Sequence, residues 1–214
     1  MASRSRILIA DDHNMVAELL KQLLANDFDV VGTFGDGRSL VSAAVELKPD
    51  VIVLDVAMPV LNGLDAGRQA KTMLPSVKLV YLTMNPDVQV AAEAFTLGAS
   101  GYLLKTSASS ELTVAVREAL RGRTYLSKEL SRETIDCLRW QHNKLVDVNA
   151  RLTNRQREVL QLLAEGKVMK EVAFILNMSQ RTATYHKYKM MKTLGIKSSA
   201  ELVRYAVRNH IVAA

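Results

Sequence analysis

Short apolar segments alternate with amphipathic stretches through the first half of the chain. The segments include RILIA (Arg6–Ala10) and the nearly uninterrupted apolar run VIVLDV (Val51–Val56). Strands that are apolar on both faces and alternate with helical patterns are typical of a parallel sheet covered by helices on both sides. The remaining strands are expected at Asp29–Phe34, Lys78–Thr83 and Gly101–Leu104.

Five such strand–helix units fit a doubly wound α/β domain, (βα)5, with the flavodoxin-like strand order. We expect this domain to span residues 1–122. Gly and Pro fall between the predicted elements, where turns require them.

Residues 151–214 have a different pattern, with helical spacing and no strand-like alternation. Thr153 followed by Gln156 is a capping-box pattern, so a first helix is expected to begin there. Ser179 is expected to cap a third helix over Gln180–Leu194, which ends at Gly195. The second and fourth helices are expected near Lys170–Leu176 and Ser199–Asn209. This segment is therefore predicted to be a separate all-α domain of four helices.

Residues 123–150 join the two predicted domains and form a polar, proline-free segment. A loose apolar stripe in it predicts a helix over about Ser127–Asn143, followed by a flexible tether.

Charge is distributed unevenly between the two halves. Residues 1–122 carry 11 basic and 14 acidic residues, a net charge of −3, whereas residues 123–214 carry 17 and 8, a net charge of +9. An acidic half joined to a basic half indicates that only the second half meets a polyanion.

Composition also bears on location. No apolar run approaches the roughly 18 residues that a membrane-spanning helix needs, and the N-terminus lacks the pattern of a signal peptide. We therefore expect a cytoplasmic protein without membrane contact. Cys137 is the only cysteine, so no internal disulfide is expected.

Polar side chains lie where the predicted strands end. Asp11 and Asp12 follow the first strand, Asp55 lies near the end of the third, Thr83 ends the fourth and Lys105 follows the fifth. Ligands bind at the carboxyl ends of strands in open parallel sheets. Clustered carboxylates favour a hard cation such as Mg²⁺, while the hydroxyl and the ammonium suit phosphate oxygens. One of the carboxylates is then placed to act as a nucleophile.

The segments ADDH, LDVAMPVLNG, LT and GYLLK resemble the receiver domain of two-component response regulators. The resemblance implies that Asp55 is the phosphoacceptor. It also implies that Asp12, Asp55 and the backbone carbonyl of Ala57 hold Mg²⁺, with Asp11 acting mainly through water.

The same resemblance assigns roles to three further residues. Thr83 is implied to bond the acyl phosphate as its hydroxyl moves inward. Tyr102 is implied to rotate into the space left behind, and Lys105 to pair with a phosphate oxygen.

The predicted third helix of the second half, RTATYHKYKMMKTL, has the features of a DNA-reading helix. Ala183, Met190 and Leu194 share one face and are expected to pack inward. The opposite side is expected to meet base edges through Thr184, Tyr185 and Tyr188. The flanking basic residues are expected to contact phosphates; they are Arg181, Lys187, Lys189 and Lys192.

The whole second half resembles the LuxR-type helix-turn-helix, and with the receiver-like half the chain is similar to the NarL/FixJ family of transcription regulators. In that resemblance Glu158 is a structural residue that bridges to a basic side chain. The resemblance implies phosphorylation by a histidine kinase or a small phosphodonor, homodimerisation on activation and binding to double-stranded promoter DNA. RNA polymerase is a further candidate partner. No enzymatic activity beyond the receiver's own phosphotransfer and dephosphorylation is expected.

Two other hypotheses remain open at this point. Aspartate-based phosphatases also use an Asp nucleophile, Mg²⁺ and Lys on an α/β sheet. The position two residues beyond Asp55 is Ala57, however, where such enzymes need a second carboxylate. The other alternative is a constitutive DNA-binding protein with a receiver that only dimerises. Mg²⁺-dependent phosphate uptake at Asp55 distinguishes a phosphorylated regulator from this alternative.

Overall fold

The computed structural model describes residues 4–130 and 152–212. It confirms a parallel sheet in the N-terminal half, with strand order β2-β1-β3-β4-β5-β6. The strands are β1 (Arg6–Ala10), β2 (Asp29–Phe34), β3 (Val51–Asp55), β4 (Lys78–Thr83), β5 (Gly101–Leu104) and β6 (Tyr125–Leu126).

Five helices cover the two faces of this sheet: α1 (Asn14–Ala25), α2 (Gly37–Leu47), α3 (Gly63–Met73), α4 (Val88–Thr96) and α5 (Ala108–Leu120). Neighbouring residues of a strand point to opposite faces. Ile52 and Leu54 of β3 accordingly pack with α2, α3 and α4, while Val51 and Val53 pack with α1 and α5. Both faces of the central strands are buried, as their continuous apolar sequence predicts.

The short strand β6 was not expected from the sequence. It pairs in parallel with β5, and the chain beyond it stays on the domain. The hydroxyl of Ser127 donates to Glu111 of α5 at 2.6 Å, and Leu130 packs in the core cluster beside α2–α4. Residues 127–130 form a turn, and the rest of the predicted linker helix over Ser127–Asn143 lies outside the described residues.

The C-terminal half forms a separate all-α domain of helices α6 (Asn154–Ala164), α7 (Met169–Ile175), α8 (Gln180–Leu194) and α9 (Ser199–Arg208). Thr153 and Gln156 form the predicted capping box of α6. The side chain of Ser179 accepts from the Thr182 amide at the start of α8, which ends at a left-handed Gly195. Sequence periodicity and caps therefore locate α8 with the bounds that were expected. Among the described residues, no helix is long and apolar enough to cross a membrane.

Helix α6 docks against the α/β domain through polar side chains. The Nε atom of Arg157 lies 2.6 Å from Oδ1 of Asp65 in α3, and both side chains are almost fully buried. Arg68 contacts Asp65 at 2.7 Å and Glu93 at 3.3 Å on the same side of the interface. A group of four charged residues, of which all but Arg68 are buried, thus joins the two domains.

Candidate functional site

The carboxyl edge of the sheet brings together the side chains that the strand ends predicted. Asp11 follows β1, Asp55 ends β3 and Lys105 follows β5. The ammonium of Lys105 lies 2.7 Å from Oδ2 of Asp11 and 2.8 Å from Oδ2 of Asp55. Asp11 is 1% exposed and Asp55 is 3% exposed. One cation therefore bridges two buried carboxylates at this edge.

Burial and charge act in opposite directions on these groups. Burial raises the pKa of the Asp55 carboxyl, the Lys105 ammonium partly offsets that rise, and the nearby charge of Asp11 adds to it. Burial alone would lower the pKa of Lys105, but its bonds to Asp11 and Asp55 outweigh burial and raise the pKa above its usual value. Lys105 therefore stays charged, and Asp55 is a carboxylate held in an environment that disfavours its charge.

Oxygen atoms suitable for a hard cation surround this pair. Ligand atoms of Asp11, Asp12, His13 and Asp55 lie within 4.8 Å of one another. This set of carboxylate oxygens fits the ligands that Mg²⁺ takes in proteins. Sequence reasoning gave His13 no part in the site, yet its Nδ1 lies 2.9 Å from Oδ1 of Asp12. Its place directly after the two aspartates was the available signal.

The other residues predicted for this edge of the sheet are Thr83, Tyr102 and Ala57. The Thr83 hydroxyl donates to the carbonyl of Asn85 and accepts from its amide, both at 3.2 Å. Tyr102 is fully buried, and its hydroxyl lies near Thr83 without a hydrogen bond of ordinary geometry. The amide of Ala57 donates to Oδ1 of Asp55 at 3.3 Å. Thr83 is thus held by Asn85 and can reach a new group only by releasing it.

Helix α8 presents the second group of predicted residues. Ala183 and Met190 are buried in the core of the C-terminal domain. Tyr185 and Tyr188 are 58% and 64% exposed on another side of the helix. The exposed side also carries Arg181, Lys189 and Lys192, with Thr184 and Lys187 half-buried beside them.

Two of these cations have partners within the domain. The ammonium of Lys189 lies 5.6 Å from the centre of the Tyr185 ring, and that of Lys187 donates to the Ser199 hydroxyl at 2.9 Å. The exposed aromatic and basic side chains form one continuous surface.

Residues of α6 that sequence analysis gave no site role line the same cavity as residues of the carboxyl edge. Gln161 and Glu165 line a cavity of about 750 Å³ together with Asp12, Ala57 and Thr83. Glu158 bridges Arg155 at 2.6 Å and Arg38 at 3.7 Å, in line with the basic partner expected for it. The cavity connects the carboxyl edge of the sheet to the C-terminal domain.

Comparison with known proteins matches both halves of the chain. Residues 7–117 match the model of the response regulator receiver domain, and residues 150–206 match that of bacterial regulatory proteins of the luxR family. The oxygen regulatory protein NreC of Staphylococcus aureus strain JH9 is 34% identical over 214 residues. That alignment covers 97% of this chain and 99% of NreC.

Solved structures agree with this result. The RcsB response regulator of Salmonella typhimurium is 28% identical with a TM-score of 0.59, over 95% of this chain and 97% of RcsB. RcsB from Salmonella enterica serovar Typhimurium bound to promoter P1flhDC in the presence of phosphomimetic BeF3- is 26% identical with a TM-score of 0.56. It covers 99% of this chain and 100% of its own.

The fold, the site and these matches define the class as response regulators that join a receiver to a DNA-binding domain. Within that class, the chain belongs to the NarL/FixJ family of two-component transcription regulators, whose DNA-binding domain is a LuxR-type helix-turn-helix.

Proposed function

We propose that Asp55 is the phosphoacceptor and that its phosphorylation controls DNA binding by α8. The observation that carries this proposal is the Lys105 ammonium, which bridges Asp55 and Asp11 at the carboxyl edge of the sheet. A carboxylate oxygen of Asp55 attacks the phosphorus of the donor. The P–N bond of a phosphohistidine or the P–O bond of an acyl phosphate breaks, and its electron pair leaves with the donor.

The chain's own groups order this site. Lys105 pairs with a phosphoryl oxygen, because its raised pKa keeps it charged and the carboxylate of its partner Asp55 becomes an acyl phosphate. Asp12, Asp55 and the carbonyl of Ala57 would hold Mg²⁺ directly, with Asp11 acting through water. The ion supplies positive charge that offsets the repulsion between the phosphoryl oxygens and the carboxylates.

Thr83 and Tyr102 are proposed to form the switch. Thr83 leaves Asn85 to donate to a phosphoryl oxygen, and Tyr102 shifts into the space vacated by that hydroxyl. The new contacts exist only in the phosphorylated state, so they favour a second arrangement of the surface around α4 and β5.

DNA recognition is proposed for the exposed surface of α8. Thr184, Tyr185 and Tyr188 would reach base edges in the major groove. The basic side chains around them would contact phosphates, which position the protein without selecting a sequence; they are Arg181, Lys187, Lys189 and Lys192. The exposure of Tyr185 and Tyr188 supports this assignment.

The remaining assignments follow from the same proposal. The receiver spans residues 1–122, the linker 123–150 and the DNA-binding domain 151–214, with the first linker residues extending the receiver sheet. The partners are a histidine kinase, promoter DNA and a second copy of the chain on activation, with RNA polymerase as a candidate contact. The protein acts in the cytoplasm, and its chemistry is limited to its own phosphotransfer and dephosphorylation.

The test compares wild type with Asp55→Asn. Each is incubated with Mg²⁺ and acetyl phosphate, and phosphate uptake, DNA affinity and molar mass are measured. Uptake and a phosphate-dependent change in DNA affinity are expected in wild type alone. An equal change in both proteins contradicts the assignment of Asp55.

A further inference from the structure

The segment that follows Asp55, residues 56–62, is held by a side chain of the DNA-binding domain. We call it the Asp55 loop. Gln161 of α6 accepts the Asn62 amide at 2.8 Å and donates to the Met58 carbonyl at 2.9 Å. Its Oε1 also accepts from Nδ2 of Asn62 at 3.2 Å. Gln161 is 1% exposed, so these bonds form out of water, where losing them is costly.

Two further contacts tie the loop to the same domain. The Val60 amide donates to Oε1 of Glu165 at 3.1 Å, and Nδ2 of Asn62 donates to the Ile211 carbonyl at 3.0 Å. Val60 has φ of 67°, a left-handed conformation that is strained for a β-branched residue. The DNA-binding domain therefore bonds the loop at a position where its backbone conformation is unfavourable.

The other end of this loop belongs to the phosphorylation site. The Ala57 amide bonds to Asp55 itself, and the Val56 amide bonds to the Leu82 carbonyl next to Thr83 at 2.9 Å. A segment of seven residues thus contacts the phosphoacceptor at its start and the DNA-binding domain at its end. A backbone shift near Asp55 should therefore alter the contacts with the DNA-binding domain, because packed interiors do not deform freely.

The docked domain leaves its own DNA-reading surface uncovered. Tyr185 and Tyr188 of α8 stay exposed while α6 and the Ile211 carbonyl contact the receiver. Docking in this arrangement therefore does not act by covering the recognition helix. Among its direct contacts are the bonds of Gln161, Glu165 and Ile211 to the Asp55 loop.

We propose that Gln161 is a positioning residue for the chemistry at Asp55, and that it holds the Asp55 loop in the arrangement of the unphosphorylated receiver. The proposal rests on the proposed function, in which phosphorylation changes how the domains are arranged. Coupling between two sites is reciprocal. If phosphorylation weakens the contact with Gln161, that contact opposes phosphorylation to the same extent.

The test uses Gln161→Met, which keeps the side-chain length and deletes all of its hydrogen bonds. The matched control is Gln69→Met, because Gln69 also crosses the domain interface, donating to Oε1 of Glu158 at 3.0 Å, and does not bond to the loop. Affinity for beryllofluoride with Mg²⁺ is measured by calorimetry on the full chain. Phosphate uptake from acetyl phosphate is followed on the same proteins.

Gln161→Met is expected to bind beryllofluoride at least about 5-fold more tightly than wild type, which is the lower end of typical couplings between sites. Gln69→Met is expected to bind like wild type. Glu165→Ala releases the same loop from a half-buried position and is expected to tighten binding by a smaller factor. It keeps the proposal testable if Gln161→Met does not fold.

The outcomes distinguish a failure of the proposed function from a failure of the role assigned to Gln161. A wild type that takes up no phosphate contradicts the proposed function itself. A wild type that is phosphorylated normally while Gln161→Met and Glu165→Ala match it in beryllofluoride affinity overturns the role of Gln161. Equal tightening in Gln69→Met also overturns it, because the effect would then belong to the domain interface as a whole.

Discussion

Arg157 is the charged residue on which docking of the two domains most depends. Its side chain is 3% exposed, with Nε 2.6 Å from Oδ1 of Asp65 and Nη2 3.9 Å from Oε1 of Glu93. Replacing it with Met leaves two buried carboxylates of the receiver without this partner. Removal of one member of a buried ion pair costs about 3–5 kcal/mol when the other charge is left alone.

Here the cost is smaller, because Arg68 still contacts both carboxylates. We therefore expect Arg157→Met to weaken docking by about 2 kcal/mol. Such a change shifts the ratio of docked to separated molecules roughly 30-fold, at about 1.4 kcal/mol for each factor of ten. The fold of either domain is expected to be unaffected, since the ion pair joins the domains and neither core contains it alone.

Small-angle X-ray scattering measures the outcome, as the radius of gyration rises when the domains separate. Arg155→Met is the matched control, because Arg155 pairs with Glu158 on its own helix. An unchanged radius in Arg157→Met, or an equal increase in the control, refutes the view that the buried charges hold the domains together.

Three further outcomes test the site, the loop and the DNA surface. Asp55→Asn is expected to stabilise the receiver by about 1 kcal/mol. Because burial raises the folded-state pKa of Asp55, the gain in stability should be absent below the ordinary pKa of 3.8. It should grow as the pH rises from that value through the raised pKa, and stay constant above it. If thermal melts show the same stability difference between Asp55→Asn and wild type at every pH, burial does not raise the pKa of Asp55. Val60→Gly should stabilise by about 1 kcal/mol in urea, since relief of left-handed strain exceeds the entropy cost of glycine, and a loss of stability argues against that strain. Lys192→Ala, at a proposed phosphate contact, should lower the slope of log K against log salt concentration by about 0.9 for every DNA sequence. Tyr188→Phe, at a proposed base contact, should change the preference among sequences and leave that slope constant. The reverse pattern in binding titrations would exchange the two roles.

Sequence reasoning located most elements because their signals are local. The strand β3 is apolar throughout, and α8 begins at a capping serine and ends at a glycine, so its bounds were predictable. The strand β6 has only two residues and pairs at the edge of the sheet, which is too short for a pattern. The convergence of Asp11, Asp55 and Lys105 followed from topology alone, because parallel strands end at one edge.

The docking of α6 was not predictable in the same way. Its apolar residues Val159, Leu160 and Leu162 pack in the core of the C-terminal domain. Arg157 and Gln161 are also buried, but polar residues on a helix ordinarily face water. Only the partner surface explains their burial, and a single sequence does not reveal which surface that is.

The polar character of this interface separates its response to salt from that of DNA binding. The ion pair of Arg157 and Asp65 is buried, and buried pairs are screened much less than exposed charges. Binding to DNA through the basic residues proposed for α8 should weaken steeply with salt, because condensed counterions are released on association. Raising the salt concentration should therefore remove DNA affinity while the domains stay docked. A phosphorylation effect on domain arrangement that persists at high salt would then belong to the Asp55 loop and its contact with Gln161, because the DNA surface no longer contributes.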